Sequence, residues 1–158
     1  MTDMPRDLAE AVEAYRTGMA AEVVLLQALD DVAGEQRSVS LARAFDKFEQ
    51  PATERDRLTA ELASLERSMR PVRDWLASRR HDAEQVPAFA EASSLHEQAL
   101  TIATRILGHD QDALRSLREV TIARRAALAR LDQAGTTLAA YRRVTTPPGR
   151  STFVNQRG

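Results

Sequence analysis

The chain has 158 residues, of which 43% are hydrophobic, mostly Ala and Leu, while aromatics make up only 4% and cysteine is absent. That length suits one domain with a real core, and the lack of cysteine removes disulfides, zinc–thiolate sites and thiol catalysis together. Net charge is −1, yet residues 1–50 hold five bases against ten acids, residues 51–114 eight against eleven, and residues 115–158 nine against two.

The first expected helix runs over about 5–33, with Asp3 nearby as a cap and Pro5 in its first turn. Leu8, Val12, Tyr15, Met19, Val23, Leu26 and Leu29 recur at spacings of three and four and share one face. Gly34 supplies a left-handed residue that would end it. A second helical stretch is expected over about 40–80, with Leu41, Phe45, Phe48, Leu58, Leu62, Leu65, Met69, Val72 and Leu76 as its stripe. Pro51 interrupts it, Thr53 and Asp56 offer a restart, and Pro71 sits in the stripe as a kink.

A third helix is expected over about 87–143, carrying Ala92, Leu95, Ala99, Ile102, Ile106, Leu114, Leu117, Val120, Leu128, Leu131, Leu138 and Tyr141. Gly108 and Gly135 each weaken it by about 1 kcal/mol. One continuous helix, about 85 Å long at 1.5 Å per residue, is favoured over a break near Gly108 and Asp110 that would make four helices. From Val144 the sequence Thr145-Thr146-Pro147-Pro148-Gly149 cannot continue a helix, so residues 144–158 read as a flexible, disordered tail in which Phe153 and Val154 stand among polar residues. The expected fold is all-α: a single domain over 1–143, an elongated three-helix bundle (four-helix if the last helix breaks) with long coiled-coil-like helices. The longest helix should outrun its neighbours and leave part of its stripe uncovered, ready for a partner helix or a homodimer.

No constellation carries catalysis, so the chain does not read as an enzyme. His96-Glu97 opens like a zinc-protease motif, but Leu100 stands where the second histidine would be. The patch His109-Asp110-Gln111-Asp112 has the residue types for a metal without further ligands at known spacing, and reads better as a capping or solvated stretch. No glycine-rich phosphate loop or nucleophile elbow occurs, so neither a cofactor nor a metal is expected. The segment Met1 to Glu10 has no apolar h-region, and the longest apolar run, near Val23 to Leu26, is far short of the roughly 20 residues of a membrane span. A cytoplasmic location is the expectation.

The +7 of the C-terminal region fits an acidic partner, a nucleic-acid arm, or basic helix faces that pair with acidic ones within the fold. Aromatics are not interleaved with the bases, so nucleic acid is not the expected partner. Trp75 lies beside Val72 and Leu76, as core or as an indole in a partner groove. Tyr141 is either a helix-end residue stacked on the bundle or an anchor for another protein.

The opening helix, the stretch Leu41 to Phe48, the charged helix Glu54-Arg55-Asp56-Arg57-Leu58…Leu62…Leu65-Glu66, and the run Ile106-Leu107…Leu114…Leu117-Arg118…Leu128…Leu131 ending in Tyr141 and a loose tail follow one another in order. This arrangement resembles the FlgN-type flagellar export chaperones, over nearly the whole chain. The resemblance implies a cytoplasmic chaperone that binds the helical C-terminal segment of hook–filament junction proteins and delivers them to the cytoplasmic domain of the export gate. It maps the substrate groove to Leu114, Leu117, Val120, Leu128, Leu131 and Leu138, with Phe153 of the tail closing over it, and the gate contact to Tyr141. Family members often place a glycine after that tyrosine, where this chain has Arg142. The competing expectation is a coiled-coil scaffold or adaptor that associates with itself.

Overall fold

A computed structural model describes residues 7–145 and shows an all-α helical bundle. Its elements are α1 (Leu8–Leu41), a 3-10 turn (Phe45–Lys47), α2 (Glu49–Ala77), the short α3 (Arg80–Ala83) and α4 (Pro87–Thr145); no strand occurs among the described residues. By its contacts the chain divides into two compact units, Met1–Leu117 and Arg118–Gly158, where the sequence reading drew a single domain to residue 143. The described part of the second unit is the C-terminal portion of α4.

Asp7 caps α1: its backbone is extended, and its carboxylate accepts the Glu10 amide at 2.8 Å. One orphan donor of the first turn is thereby satisfied, and Glu10 places an acid at the positive end of the helix. The expected caps Asp3 and Pro5 lie outside the described residues. Gly34 does not end the helix. No glycine among the described residues has positive φ, and α1 continues to Leu41. The reason is burial: Ala33, Gln36 and Ser40 carry the inward face past the glycine, with Ala33 only 1% exposed and Ser40 fully buried. Such packing outweighs a propensity cost of about 1 kcal/mol.

The true end is a Schellman turn. The Ala44 amide donates to the Val39 carbonyl at 3.0 Å and the Arg43 amide to Ser40 at 3.1 Å, which places Arg43 at φ 55. Glycine is the usual occupant of that left-handed site, because any Cβ there crowds the backbone. The second helix therefore starts at Glu49 rather than near Ser40, and the intervening Phe45 belongs to the 3-10 turn.

Pro51 falls in the first turn of α2, where backbone amides have no intrahelical partner, so it begins the helix instead of interrupting it. Thr53, expected to cap a restart, donates its hydroxyl to the Glu49 carbonyl at 3.0 Å. Helix α2 runs through Pro71 and stops at Ala77, short of Arg80. α4 is continuous through Gly108 and Gly135, and it includes Val144 and Thr145, which the sequence reading gave to the tail.

Two apolar clusters hold the first unit together. Met19, Val23, Leu26, Leu29 and Val32 of α1 meet Leu58 and Met69 of α2 and Ala99, Ile102 and Ile106 of α4. Ala11 and Val12 meet Val72, Leu76 and Ala83, with Trp75 half-buried at the edge and the Arg79 guanidinium 4.3 Å over its ring. Gly18 lets the first cluster close: a Cβ there would lie 2.6 Å from the Met69 sulfur.

Candidate functional site

Several polar residues of the first unit hold helices together. Asp110 of α4 takes both arms of the Arg55 guanidinium at 2.7 Å, and the same Arg55 donates to Gln36 of α1 at 2.8 Å. Asp112 pairs with Arg37 at 2.8 Å. Asp30 of α1 receives Arg105 at 2.7 Å and faces His109 at 3.4 Å. The Ser116 hydroxyl donates to the Ser40 carbonyl at 2.8 Å, both residues buried. The patch His109-Asp110-Gln111-Asp112, expected to cap or to solvate, is thus a clamp on α1 and α2. No group of three or more candidate metal ligands occurs among the described residues.

A cleft of about 430 Å³ opens beside this core, lined by Tyr15, Arg73, Leu76, Phe89, Ser93 and His96 among others. Arg73 is held by Glu66 in two hydrogen bonds, at 2.6 and 2.9 Å, which pull the Glu66 carboxyl below its ordinary range. Glu22 lies 4.0 Å from the same guanidinium, and burial pushes its carboxyl upward despite that neighbour. Burial likewise raises the Tyr15 hydroxyl. The bidentate Arg73–Glu66 pair fixes the guanidinium at the cleft wall, and sequence reasoning did not find this cleft because its residues come from separate helices.

The expected binding residues fall into two groups. In the first unit, Leu114 is 52% exposed while Ser116 is buried and Leu117 half-buried. Leu114 therefore points away from the core, in line with the exposed Leu100 and Leu107 at steps of seven. It does not share the inward face of Ala92, Ala99, Ile102 and Ile106.

In the second unit every residue from Thr121 to Val144 is exposed. Val120, half-buried, lies within about 20° of Leu131 and Leu138 around the helix, and Leu128 and Tyr141 flank that line by about 60° on either side. Leu128, Leu131 and Leu138 are 56%, 67% and 52% exposed, and Tyr141 is exposed at the end of the helix. The small residues Ala127, Ala134 and Gly135 lie between the leucines. The result is an apolar face with shallow gaps, the form into which side chains of another helix fit. Phe153, expected to close over it, lies outside the described residues.

The bases on this segment differ from those of the first unit. Arg118, Arg124, Arg125, Arg130, Arg142 and Arg143 stand against Glu119 and Asp132, and none of the six has an acid three or four positions away. No described helix is long and apolar enough to cross a membrane. Comparison of the chain with protein-family models, with curated proteins and with solved structures gives no match.

Proposed function

We propose that this protein binds a helical segment of another protein on α4, as a cytoplasmic chaperone of the FlgN type does for the C-terminal helices of hook–filament junction proteins. The observation that carries the reading is the exposure of Leu128, Leu131 and Leu138 on one side of the helix. Exposed single leucines are ordinary, but three on one side within about three turns form a surface that association would bury. Binding there needs no catalytic group, and we read the chain as a non-enzyme. Tyr141, large and amphipathic at the helix end, suits a second contact, such as one with the export gate.

Purification of the tagged full-length chain from its native cell tests the reading, with Leu128→Asp and Leu131→Asp variants alongside. A hook–filament junction protein that co-elutes with the parent and is lost from both variants, at unchanged helical circular dichroism, is the expected result. Loss of helicity in the variants would instead make those leucines structural. Tyr141→Ala should retain the client and impair only its delivery.

A second reading, a self-associating scaffold, draws on the exposed heptad of Leu100, Leu107 and Leu114 in the first unit. Thr104 and Gln111 beside it are uncharged, and Glu97 and Arg115 farther round the same flank carry opposite charges. Sedimentation equilibrium of Leu107→Asp decides it: a dimer in the parent and a monomer in the variant would favour the scaffold.

A further inference from the structure

We infer that the α4 face running from Arg118 to Tyr141 selects an acidic amphipathic helix of a different protein. The inference rests on the reading that this face docks a helix, and it adds the chemistry of the occupant. Six arginines and two acids give the helical part of the second unit a net charge of +4. A helix normally offsets its own charges through neighbours three and four positions apart. Arg16 with Glu13, Arg57 with Glu54 and Glu61, and Arg80 with Glu84 do this in the first unit. Arg118, Arg124, Arg125, Arg130 and Arg143 have no such neighbours in sequence.

Three of the six arginines stand beside the apolar line. Arg124 and Arg142 fall between the line of Leu131 and Leu138 and Leu128, and Arg130 lies on the side of Tyr141, whereas Arg118, Arg125 and Arg143 lie about 120–160° round the helix from that line. A helix seated on the leucines would bring its own flanking residues within reach of guanidiniums on both sides. Acids there would gain several pairings at once and speed association. A second copy of the segment would set +4 against +4 and place arginines opposite arginines, which is repulsive. Nucleic acid would meet the arginines but leave the leucine line in water, and no aromatic stacking platform accompanies it. The span from Val120 to Tyr141 covers about 32 Å at 1.5 Å per residue, so the occupant is a helix of about six turns.

The test is fluorescence anisotropy with the full-length protein and labelled synthetic helices of about 21 residues that share one leucine heptad pattern. One peptide carries Glu at the flanking positions, one Gln and one Lys. The Glu peptide should bind about tenfold or more tightly than the Gln peptide, and the advantage should shrink as salt is raised. The double reversal Arg124→Glu, Arg130→Glu should invert the order of the Glu and Lys peptides. Equal affinity for the Glu and Gln peptides, both lost in Leu131→Asp, would overturn the charge selection and leave helix docking standing. Binding of no peptide would remove the docking reading itself. A dimer broken by Leu131→Asp, or an oligonucleotide bound more tightly than the Glu peptide, would give the face to another occupant and overturn the proposal.

Discussion

Helix α4 presents the same kind of side chains in two settings. Before Leu117 its inward residues are buried and its charges are engaged: Ile102 and Ile106 are in the core, and Asp110 and Asp112 hold arginines of α2 and α1. Beyond Arg118, leucines at comparable spacing are exposed and arginines have no acid at helical distance. The composition of a helix face therefore does not say whether it is core. Its setting does, and where water is the setting, the exposed apolar groups describe what could cover them.

The sharpest way to break this contrast is to truncate one residue in each setting. Ile102→Ala should cost about 2–5 kcal/mol in urea unfolding, from lost burial plus a cavity. Leu131→Ala should stay within about 0.5 kcal/mol, as surface substitutions do. Comparable losses would place Leu131 in a core. The clamp comes next: Asp110→Ala leaves the half-buried Arg55 with Gln36 alone and should cost about 1–3 kcal/mol in the same measurement. By contrast Arg130→Ala, without a helical counter-charge, should be near neutral.

A smaller effect of opposite sign is expected at the end of α1. Arg43→Gly relieves a left-handed non-glycine residue and should stabilise by about 0.5–1 kcal/mol in thermal unfolding, after the added freedom of the unfolded chain is counted. The smallest effect is pH-dependent. Glu22 has its carboxyl raised by burial, so its stabilising contribution is full below the unfolded carboxylate range and is lost as pH rises through the folded value. Glu66, lowered by Arg73, runs the other way: its contribution is present at neutral pH and lost on acidification. Glu22→Gln should therefore be more favourable relative to the parent at pH 7 than at pH 4, by less than about 1 kcal/mol. Urea unfolding at the two pH values measures it, and a difference of the opposite sign would mean that Arg73 outweighs burial.

Much of the fold was legible because helix periodicity is local. The stripe of α1, the passage of α2 through Pro71 and the continuity of α4 through Gly108 all follow from spacings of three and four. Gly34 misled because its sequence signal is local while the reason the helix continues is not: Ser40 is held by Ser116, 76 positions away. The clamp residues were hidden likewise, since Asp110 finds Arg55 across 55 positions. At the candidate site, Leu128, Leu131 and Leu138 are exposed. Leu114 faces another way, because a helix places it closer in phase to Leu107 than to Leu117.

An uncovered helix must also supply its own cohesion. Between Ala123 and Ala140 the chain is rich in alanine, which favours helix without help from packing, while Gly135, Thr136 and Thr137 form a weak link. Amide hydrogens in the clamped portion should exchange with deuterium far more slowly than those past Gly135, which open by fraying at the helix end. A bound helix would slow the exchange there, so the map of protected amides before and after binding would trace the docking footprint along the backbone.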